Sequence, residues 1–436
     1  MNKMLLNFNT VITGKIIRTI LILLTTILVG RFLGPEGKGV FMLITILPTL
    51  AVTFGNIGLN NSNTFWASKD QENIQKLFYS SFWLSLFLGL TFTSLFVFAS
   101  KMNVKVLFGN LGAPYIIMLG IIIPFVLSES LFQGIIIGQK NFGLFNAGQI
   151  SVYLIITIGI IIGKIFFTFT TYYLAVITTI ALMCPAILYL IQLWKQFGIK
   201  WYFNWTLIKK CINFGFRSYL VTVMSYLIWR SDIYFVNIFL NMREVGLYSV
   251  AVNFADAVVL ISNAIGLVLF PQIAANPEGG LKITLKITRL LFALLIVVSI
   301  AIFIFAKPFI ILFFGLAFQP SILSVYILTI AAGIWSITSI LSLYFASQGF
   351  PWKTVWIWFP GLIINVLINI IFLPKYGLIV AAISSLITYG ITLILCVSYL
   401  RQFHQITLKD IIITNRDEIG CFVNTIKKTI INFHHG

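Results

Sequence analysis

Charged side chains are scarce in this chain. Asp, Glu, Lys and Arg together make up 9% of its 436 residues, whereas hydrophobic residues make up 59%, and the mean hydropathy is +1.02. Since these four residue types are the ones that normally face water, the chain has too few of them to cover a soluble globule of its length. The composition therefore excludes a water-soluble protein and predicts an integral membrane protein.

Long polar segments are also missing. Apolar runs of about 20 residues, the length with which a helix spans a bilayer, follow one another with only short polar breaks between them. The first six runs cover residues 11–29, 39–60, 77–99, 115–137, 145–166 and 171–194, and the next six cover 212–240, 246–272, 285–306, 322–345, 355–373 and 378–400. The sequence therefore predicts an all-α fold of about 12 transmembrane helices, and no break is long enough for a soluble catalytic domain.

The breaks define the predicted organisation of the chain. We predict an N-terminal six-helix lobe (1–194), a cytoplasmic linker (195–210), a C-terminal six-helix lobe (211–401) and a cytoplasmic tail (402–436). The first run has no small-residue cleavage site after it, so we expect a retained span rather than a cleaved signal peptide. Apolar residues recur in the tail at helical spacing, which predicts either a short helix on the membrane surface or a disordered end.

Basic residues predict the orientation of the spans. Lysine and arginine number 29 against 11 aspartate and glutamate residues, and they are concentrated in the breaks on the same side as the N-terminus. Because short basic loops stay in the cytoplasm, both termini are predicted to be cytoplasmic. The net charge of +18 also favours anionic lipid headgroups, whereas nucleic acid is not predicted as a partner because no soluble basic domain is present.

Cysteine and histidine are rare as well. The four cysteines are Cys184, Cys211, Cys396 and Cys421, and the three histidines are His404, His434 and His435. The cysteines fall at or near the predicted cytoplasmic ends of spans or in the tail, where thiols stay reduced, so no disulfide framework is expected. The histidines have no carboxylate or cysteine at ligand spacing. We therefore predict no metal site and, without a nucleotide-binding glycine loop, no cofactor.

The two sets of six runs share a motif. Its copies are Phe32-Leu33, Gly39 and Phe41 in the first set and, at identical spacing, Phe239-Leu240, Gly246 and Tyr248 in the second. A weaker echo closes the fourth and tenth runs, at Gly138-Gln139 and Ser347-Gln348. Because each set has an even number of spans, the two halves have the same orientation. We therefore predict parallel repeats about an axis along the membrane normal, with a site between them.

These regions resemble a known family. The resemblance is carried by residues 30–60 (GRFLGPEGKGVFMLITILPTLAVTFGNIGLN), residues 230–254 (RSDIYFVNIFLNMREVGLYSVAVNF) and the LFP at 269–271. They are similar to the polysaccharide-type branch of the multidrug/oligosaccharidyl-lipid/polysaccharide (MOP) exporter superfamily, in particular to the flippases of O-antigen and capsule repeat units. The resemblance covers essentially the whole chain.

The resemblance implies two six-helix, MATE-like lobes around a central cleft that opens by alternating access. It implies that an undecaprenyl-pyrophosphate-linked oligosaccharide moves from the inner to the outer leaflet of the bacterial cytoplasmic membrane. The implied partners are this lipid-linked oligosaccharide, membrane lipids and, as further candidates, other polysaccharide-assembly proteins and H⁺ or Na⁺ as a coupling ion.

Basic residues at two equivalent helix ends are candidate substrate contacts. Lys15 and Arg18 lie one helical turn apart near the inner end of the first span, and Lys210 and Arg217 lie at the inner end of the seventh. In the resembled family these spans border the cleft, which implies a basic cytoplasmic mouth where a pyrophosphate enters. Arginine suits that group through bidentate contacts. The alternative for Lys15 and Lys210 is that they snorkel to the interface as topology markers.

Four further charges fall inside predicted spans, where a charge costs about 2.5–3.5 kcal/mol at the bilayer centre and needs a partner or a wet cavity. Arg230 and Asp256 are equally far from the turn at Arg243 and therefore lie at the same depth, which allows an ion pair. Such a pair either neutralises two charges, the role we favour, or acts as a switch. Asp232 points to another face and needs its own partner or water. Glu129 is either a site for proton or sodium coupling or a carboxyl group that is protonated or hydrogen-bonded to a neighbouring helix.

Polar and aromatic side chains at the end of the second span have two interpretations. Asn56, Asn60, Asn61 and Asn63 are able to bind sugar hydroxyls, but contacts between helices are the expected role. Trp66 is expected to anchor the chain at the membrane interface.

Three classes of function follow from the sequence. The first, which we favour, is a flippase for lipid-linked oligosaccharides. The second is a cation-coupled small-molecule or drug exporter of the same superfamily, which would need more deep acidic residues than this chain has. The third is a multispan polysaccharide polymerase or glycosyltransferase. An enzyme of that kind needs placed acid and base groups, usually in a large outer loop, and no such loop is present in the sequence. We therefore expect a protein that is not an enzyme.

Overall fold

The computed structural model describes residues 2–69, 74–102, 108–198, 200, 202–275, 279–347 and 351–404. Within these ranges every regular element is a helix, which confirms the predicted all-α class. The α-helices are α1 (Asn2–Gly55), α2 (Leu59–Lys69), α3 (Ile74–Lys101), α4 (Ala113–Gly138), α5 (Phe142–Phe166), α6 (Thr171–Phe197), α7 (Trp205–Phe239), α8 (Met242–Ala275), α9 (Gly280–Phe313), α10 (Ile322–Ser347), α11 (Pro351–Tyr376) and α12 (Ile379–His404), and a 3₁₀-helix covers Leu316–Ser321. The predicted tail helix, with Cys421, His434 and His435, lies outside the described residues.

The number of spans agrees with the sequence. Among the described residues, ten helices are long and apolar enough to cross a bilayer, and the bent pair Trp205–Phe216 and Tyr219–Phe239 raises the number to eleven. The first of these helices, Thr10–Gly55, is 46 residues long, and it covers the first predicted span and most of the second. Counted as two spans, it brings the total to the predicted twelve.

The long helix α1 breaks at Gly34. This residue has φ of 66° and ψ of −169°, a backbone conformation that a residue with a Cβ atom rarely adopts. Pro35 follows, and proline suits the first turn of a helix because its missing N–H has no helical partner there. The Gly-Pro pair therefore ends one helical segment and starts the next without an intervening loop.

Three later helices begin at polar caps. Asn141, Thr170 and Asn204 precede α5, α6 and α7, and each side chain accepts a hydrogen bond from the backbone N–H three residues further on, at 3.2, 3.2 and 3.0 Å. Such caps satisfy N–H groups that have no partner inside the helix. They fix where the apolar runs start, which composition alone leaves uncertain.

The chain divides into two compact units. The first comprises Met1–Tyr226, Ile233–Ser249 and Ile310–Gln319, and the second comprises Leu227–Asp232, Val250–Phe309 and Pro320–Gly436. The core of the first unit includes Phe78, Phe132 and Tyr189 from α3, α4 and α6, all fully buried. Within the second unit, α10, α11 and α12 pack against one another. The lobe boundaries drawn from the sequence stay a prediction.

The two glycines of the repeated motif contact each other within the first unit. A Cβ atom on Gly246 would overlap the carbonyl oxygen of Pro35, and one on Gly39 would overlap the carbonyl oxygen of Met242. The backbones of α1 and α8 therefore meet with no room for a side chain on either glycine. Only glycine permits this approach, which explains why both copies of the motif carry it.

Three cysteines and one histidine fall within the described residues. Cys184, Cys211 and Cys396 are free thiols. The Nε2 atom of His404 lies 3.0 Å from the hydroxyl of Tyr344. Within the described ranges no group of three His, Cys, Asp or Glu side chains is arranged to hold a metal ion.

Candidate functional site

Arg18 lies on α1 in the first unit, partly buried. Its guanidinium carbon is 5.9 Å from the centre of the Tyr153 ring on α5, close enough for a cation–π interaction. Its Nε atom is buried, and it has no hydrogen-bond partner among the described residues. A buried donor without a partner is costly, so among the described residues this guanidinium has unused capacity to donate a hydrogen bond.

Glu129 on α4 is the acidic counterpart of Arg18. Its Oε1 atom accepts hydrogen bonds from the Nε2 atoms of Gln149 on α5, at 2.9 Å, and of Gln133 one turn along α4, at 3.2 Å. Arg18 is close enough to act on the carboxyl group electrostatically. The hydroxyl of Tyr189 on α6 lies nearby and donates to the carbonyl oxygen of Phe145 at 3.0 Å. We call Arg18, Glu129, Gln133, Gln149 and Tyr189 the arginine–glutamate cluster.

The cluster continues towards the junction of α1 and α2 through amide side chains. The Nδ2 atom of Asn60 donates to the carbonyl oxygen of Ser130 at 2.8 Å and lies 3.5 Å from Oε1 of Gln133. The Nδ2 atom of Asn56 donates to the hydroxyl of Ser130 at 3.0 Å. Asn63 lies deeper and joins Ser81 and the carbonyl oxygen of Leu131, both at 3.0 Å. These bonds join helices, as expected from the sequence.

Next to these amides the first unit contains a polar cavity. It has a volume of about 280 Å³ and is lined by Val52, Thr53, Asn56, Gly58, Asn60, Asn61, Ser130, Tyr219 and Thr222. Seven of these residues carry an amide or hydroxyl group, and none carries a charge. Neutral donors and acceptors of this kind suit a ligand rich in hydroxyl groups, because they can pair with it without the cost of burying a charge.

Sequence reasoning missed several polar residues of this region. It singled out Arg18 and Glu129 by their charge but not Gln133, Gln149 or Tyr219, which are uncharged. Gln133 and Gln149 could have been singled out as amides within apolar runs, because an amide in a membrane span is costly unless it is paired. Without helix neighbours, however, the sequence could not show which of them face one another.

The other basic candidates are not shown to contact the same residues as Arg18. Lys15, one turn before Arg18, is partly buried. Lys210 on α7 places its Nζ atom 4.1 Å from the centre of the Trp66 ring on α2, whereas Arg18 contacts α5. The side chain of Arg217 lies outside the described residues. The convergence of all four at one mouth therefore stays a prediction.

The second unit contains an ion pair. The Nη2 atom of Arg230 on α7 donates to Oδ2 and Oδ1 of Asp256 on α8, at 2.9 and 3.1 Å. The indole N–H of Trp229 donates to Oδ1 of the same carboxylate at 3.0 Å. The two residues that the sequence puts at equal depth are thus paired.

Asp232 is buried and accepts a hydrogen bond from the hydroxyl of Ser385 on α12 at 3.2 Å. Trp229 and Tyr389 line a small cavity together with Asp232, and their rings pack against each other and against Trp335, with the rings of Trp229 and Trp335 5.0 Å apart. The cavity beside this group is only about 10 Å³, too small to admit a ligand and at the lower limit for one water molecule. The packing favours a structural role for these charges.

Removing one member of the ion pair should destabilise the protein. Arg230→Ala leaves the Asp256 carboxylate without its cation, and we expect a lower melting temperature in detergent. The loss should stay below the roughly 3–5 kcal/mol of a fully buried pair, because the Asp256 side chain is 37% accessible. The double variant Arg230→Met/Asp256→Leu should recover most of it. Unchanged stability combined with lost transport would instead indicate a switch.

Comparisons with known proteins bear on the class of this chain. A family model described as polysaccharide biosynthesis protein matches residues 5–277. The chain is 21% identical over 206 residues to the probable low-salt glycan biosynthesis flippase Agl15 of Haloferax volcanii, a match that covers 45% of this chain and 43% of that protein. The chain therefore matches less than half the length of this curated relative.

Solved structures are similar over much more of the chain. The lipid II flippase MurJ in its inward closed conformation aligns with a TM-score of 0.77 at 15% identity, covering 93% of this chain and 89% of MurJ. A multidrug resistance MATE family transporter of the MOP superfamily, in its inward-facing conformation, aligns with a TM-score of 0.73 at 15% identity, covering 88% of this chain and 94% of the transporter. A MOP superfamily transporter from Pyrococcus furiosus aligns with a TM-score of 0.62 at 16% identity, covering 90% of this chain and 93% of the transporter.

The fold and its apolar helices thus define a multi-pass membrane protein with the architecture of MurJ and the MATE transporters. Because the family match covers more than half of the sequence, the chain belongs to the family of polysaccharide biosynthesis proteins. The resemblance seen in the sequence is confirmed at the level of family and fold.

Proposed function

We propose that this protein is a flippase that moves an undecaprenyl-pyrophosphate-linked oligosaccharide, of the O-antigen or capsule type, from the inner to the outer leaflet of the bacterial cytoplasmic membrane. Both termini are cytoplasmic in this proposal, and transport proceeds by alternating access between two six-helix lobes. The curated relative is itself named a flippase of glycan biosynthesis, which supports transport rather than polymerisation.

One observation carries the proposal. The first unit holds an uncharged polar cavity of about 280 Å³, and Ser130, which lines it, follows directly on Glu129 of the arginine–glutamate cluster. The cavity offers amides and hydroxyls for sugar hydroxyl groups. Arg18 offers a guanidinium for a phosphate oxygen, and its Nε atom has no hydrogen-bond partner in the described part of the chain. A lipid-linked oligosaccharide carries both kinds of group on one molecule.

The test is transfer between leaflets in vesicles that contain the purified full chain. A fluorescent prenyl-pyrophosphate-linked oligosaccharide is added to the outer leaflet, and the fraction protected from a membrane-impermeant glycosidase is followed over time. We expect protection to rise towards equal distribution with the protein and to stay near zero in protein-free vesicles. No rise above the protein-free rate would overturn the proposal, and accumulation of a lipophilic dye cation instead would indicate the drug exporter.

Glu129 is the proposed coupling residue for H⁺ or Na⁺. Replacement by glutamine keeps the shape of the side chain and one oxygen that can accept the bonds from Gln149 and Gln133, but it removes the group that exchanges a cation. In Glu129→Gln vesicles, transfer should therefore no longer respond to an imposed proton or sodium gradient. The matched control is Glu36→Gln, since Glu36 is exposed, and it should keep the wild-type response. A full gradient response in Glu129→Gln would remove this residue from coupling.

A further inference from the structure

A second cavity of the first unit lies outside the arginine–glutamate cluster. It measures about 210 Å³ and is lined by Trp66, Lys76, Leu77, Asn204, Thr206, Leu207 and Lys210. We call it the Trp66 pocket. Two of its residues are lysines, and no described carboxylate lines it. Since a water molecule takes up about 30 Å³ in the liquid, the pocket has room for a group larger than several waters.

Trp66 forms a rigid wall of this pocket. Its ring packs against Phe65, at 5.1 Å between centroids, and against Phe214, at 6.2 Å. The Nζ atom of Lys210 lies 4.1 Å above its face. The indole Nε1 atom is buried and has no hydrogen-bond partner among the described residues. Indole nitrogen is only a donor, so this unmet donor requires an acceptor.

The remaining polar residues of the pocket lie at the start of α7. Asn204 caps α7 by accepting from the N–H of Leu207 at 3.0 Å, and its amide donates to the Tyr202 hydroxyl at 3.1 Å, so its side chain is occupied. Thr206 lies in the first turn of α7, in the segment Trp205–Phe216 before its bend. The first turn of a helix presents N–H groups and the positive end of the helix dipole. Two lysine side chains and the first turn of α7 therefore line one space, beside the indole of Trp66.

We propose that the Trp66 pocket binds a lipid-borne phosphate, namely the pyrophosphate of the prenyl carrier before it reaches the polar cavity. This inference rests on the proposed function and on its topology, which puts α7's first turn on the cytoplasmic side. Two ammonium groups balance the charge of a pyrophosphate better than that of a phosphodiester. The apolar floor formed by Leu77 and Leu207, which belong to or pack on one hydrophobic cluster, suits the first methylene groups of a prenyl chain.

The experiment measures binding of farnesyl pyrophosphate to the full chain in phosphatidylcholine nanodiscs. The double variant Lys76→Gln/Lys210→Gln should bind it at least about tenfold more weakly, since each charge-assisted hydrogen bond contributes about 1.5–3 kcal/mol. Lys209→Gln is the matched control, because Lys209 is the exposed neighbour of Lys210 and does not line the pocket. It should change the affinity by less than about twofold.

A second variant keeps the test independent of folding defects. Trp66→Phe retains a ring that packs against Phe65 and Phe214 but removes the indole donor, and we expect affinity several-fold below that of the wild type at an unchanged melting temperature. Wild-type affinity in both Trp66→Phe and the double lysine variant would overturn the site.

Two further outcomes separate this inference from others. Equal competition by phosphatidylglycerol in the nanodisc would overturn the assignment to the carrier and indicate a general lipid headgroup site. If the wild type binds farnesyl pyrophosphate as described but moves no lipid-linked oligosaccharide in the vesicle assay, the proposed function fails while the phosphate pocket stands.

Discussion

Arg18→Ala is expected to reduce transfer of the lipid-linked oligosaccharide between leaflets by at least about tenfold. Loss of one hydrogen bond to a charged group costs about 1.5–3 kcal/mol, and 1.4 kcal/mol is a factor of ten. The reason is specific to this side chain, since its buried Nε atom has no hydrogen-bond partner among the described residues and its guanidinium lies 5.9 Å from the centre of the Tyr153 ring. The vesicle assay measures the rate directly.

The control for this prediction comes from the same helix. Arg31 is exposed on α1, and Arg31→Ala should keep the wild-type rate. Arg18→Lys preserves the charge but loses the fork of donors, so it should recover only part of the activity. Wild-type transfer by a stably inserted Arg18→Ala protein would show that the arginine is no substrate contact. The polar cavity would then have no neighbouring cation that binds the phosphate.

Gly246→Val is expected to destabilise the protein strongly. A Cβ atom at this position would overlap the carbonyl oxygen of Pro35, which is backbone and cannot rotate away. Forcing α1 and α8 apart disrupts the packing along the whole contact, and overpacking of this kind costs typically about 1–3 kcal/mol, or more where backbone must move. We expect a melting temperature several degrees lower, or no accumulation in the membrane.

The matched control is a glycine inside another membrane helix. Gly333 on α10 would meet nothing within 4 Å if it carried a Cβ atom, so Gly333→Val should be tolerated. Gly39→Val should repeat the defect of Gly246→Val, because it meets the carbonyl oxygen of Met242 from the opposite side. Stable protein from both Gly39→Val and Gly246→Val would contradict a close contact at this place.

Features that depend on the composition of one helix, or on two helices joined by one turn, can be predicted from the sequence. The spans could be predicted because a helix that crosses the bilayer needs about 20 consecutive apolar residues, which are visible in the sequence. The Arg230–Asp256 pairing could be anticipated because two neighbouring antiparallel helices share one turn, so depth follows from counting. Contacts between helices distant in sequence, such as that between Arg18 on α1 and the Tyr153 ring on α5, depend on helix rotation and neighbours, which a single sequence does not give.

Two residues show where local reasoning falls short. Trp66 is the type of residue that anchors a helix at the membrane interface. Its contact with Lys210, however, depends on α7, which lies far along the chain, and its indole N–H has no partner among the described residues. Lys38 follows the Gly-Pro turn and would be expected to face water. It is only 1% exposed and lies 5.2 Å from the Phe41 ring, since the close approach of α1 and α8 next to it excludes solvent.

The Gly39–Gly246 contact also has a meaning for the origin of the chain. The two glycines are the same position in two copies of one motif, and each fits against the backbone beside the other. A surface that binds its own copy is self-complementary, which is the property of a homodimer with two-fold symmetry. An ancestor with a single copy of the motif could therefore have paired with itself through this glycine before gene duplication and fusion joined the two copies. In the present chain neither glycine can gain a side chain without losing this contact.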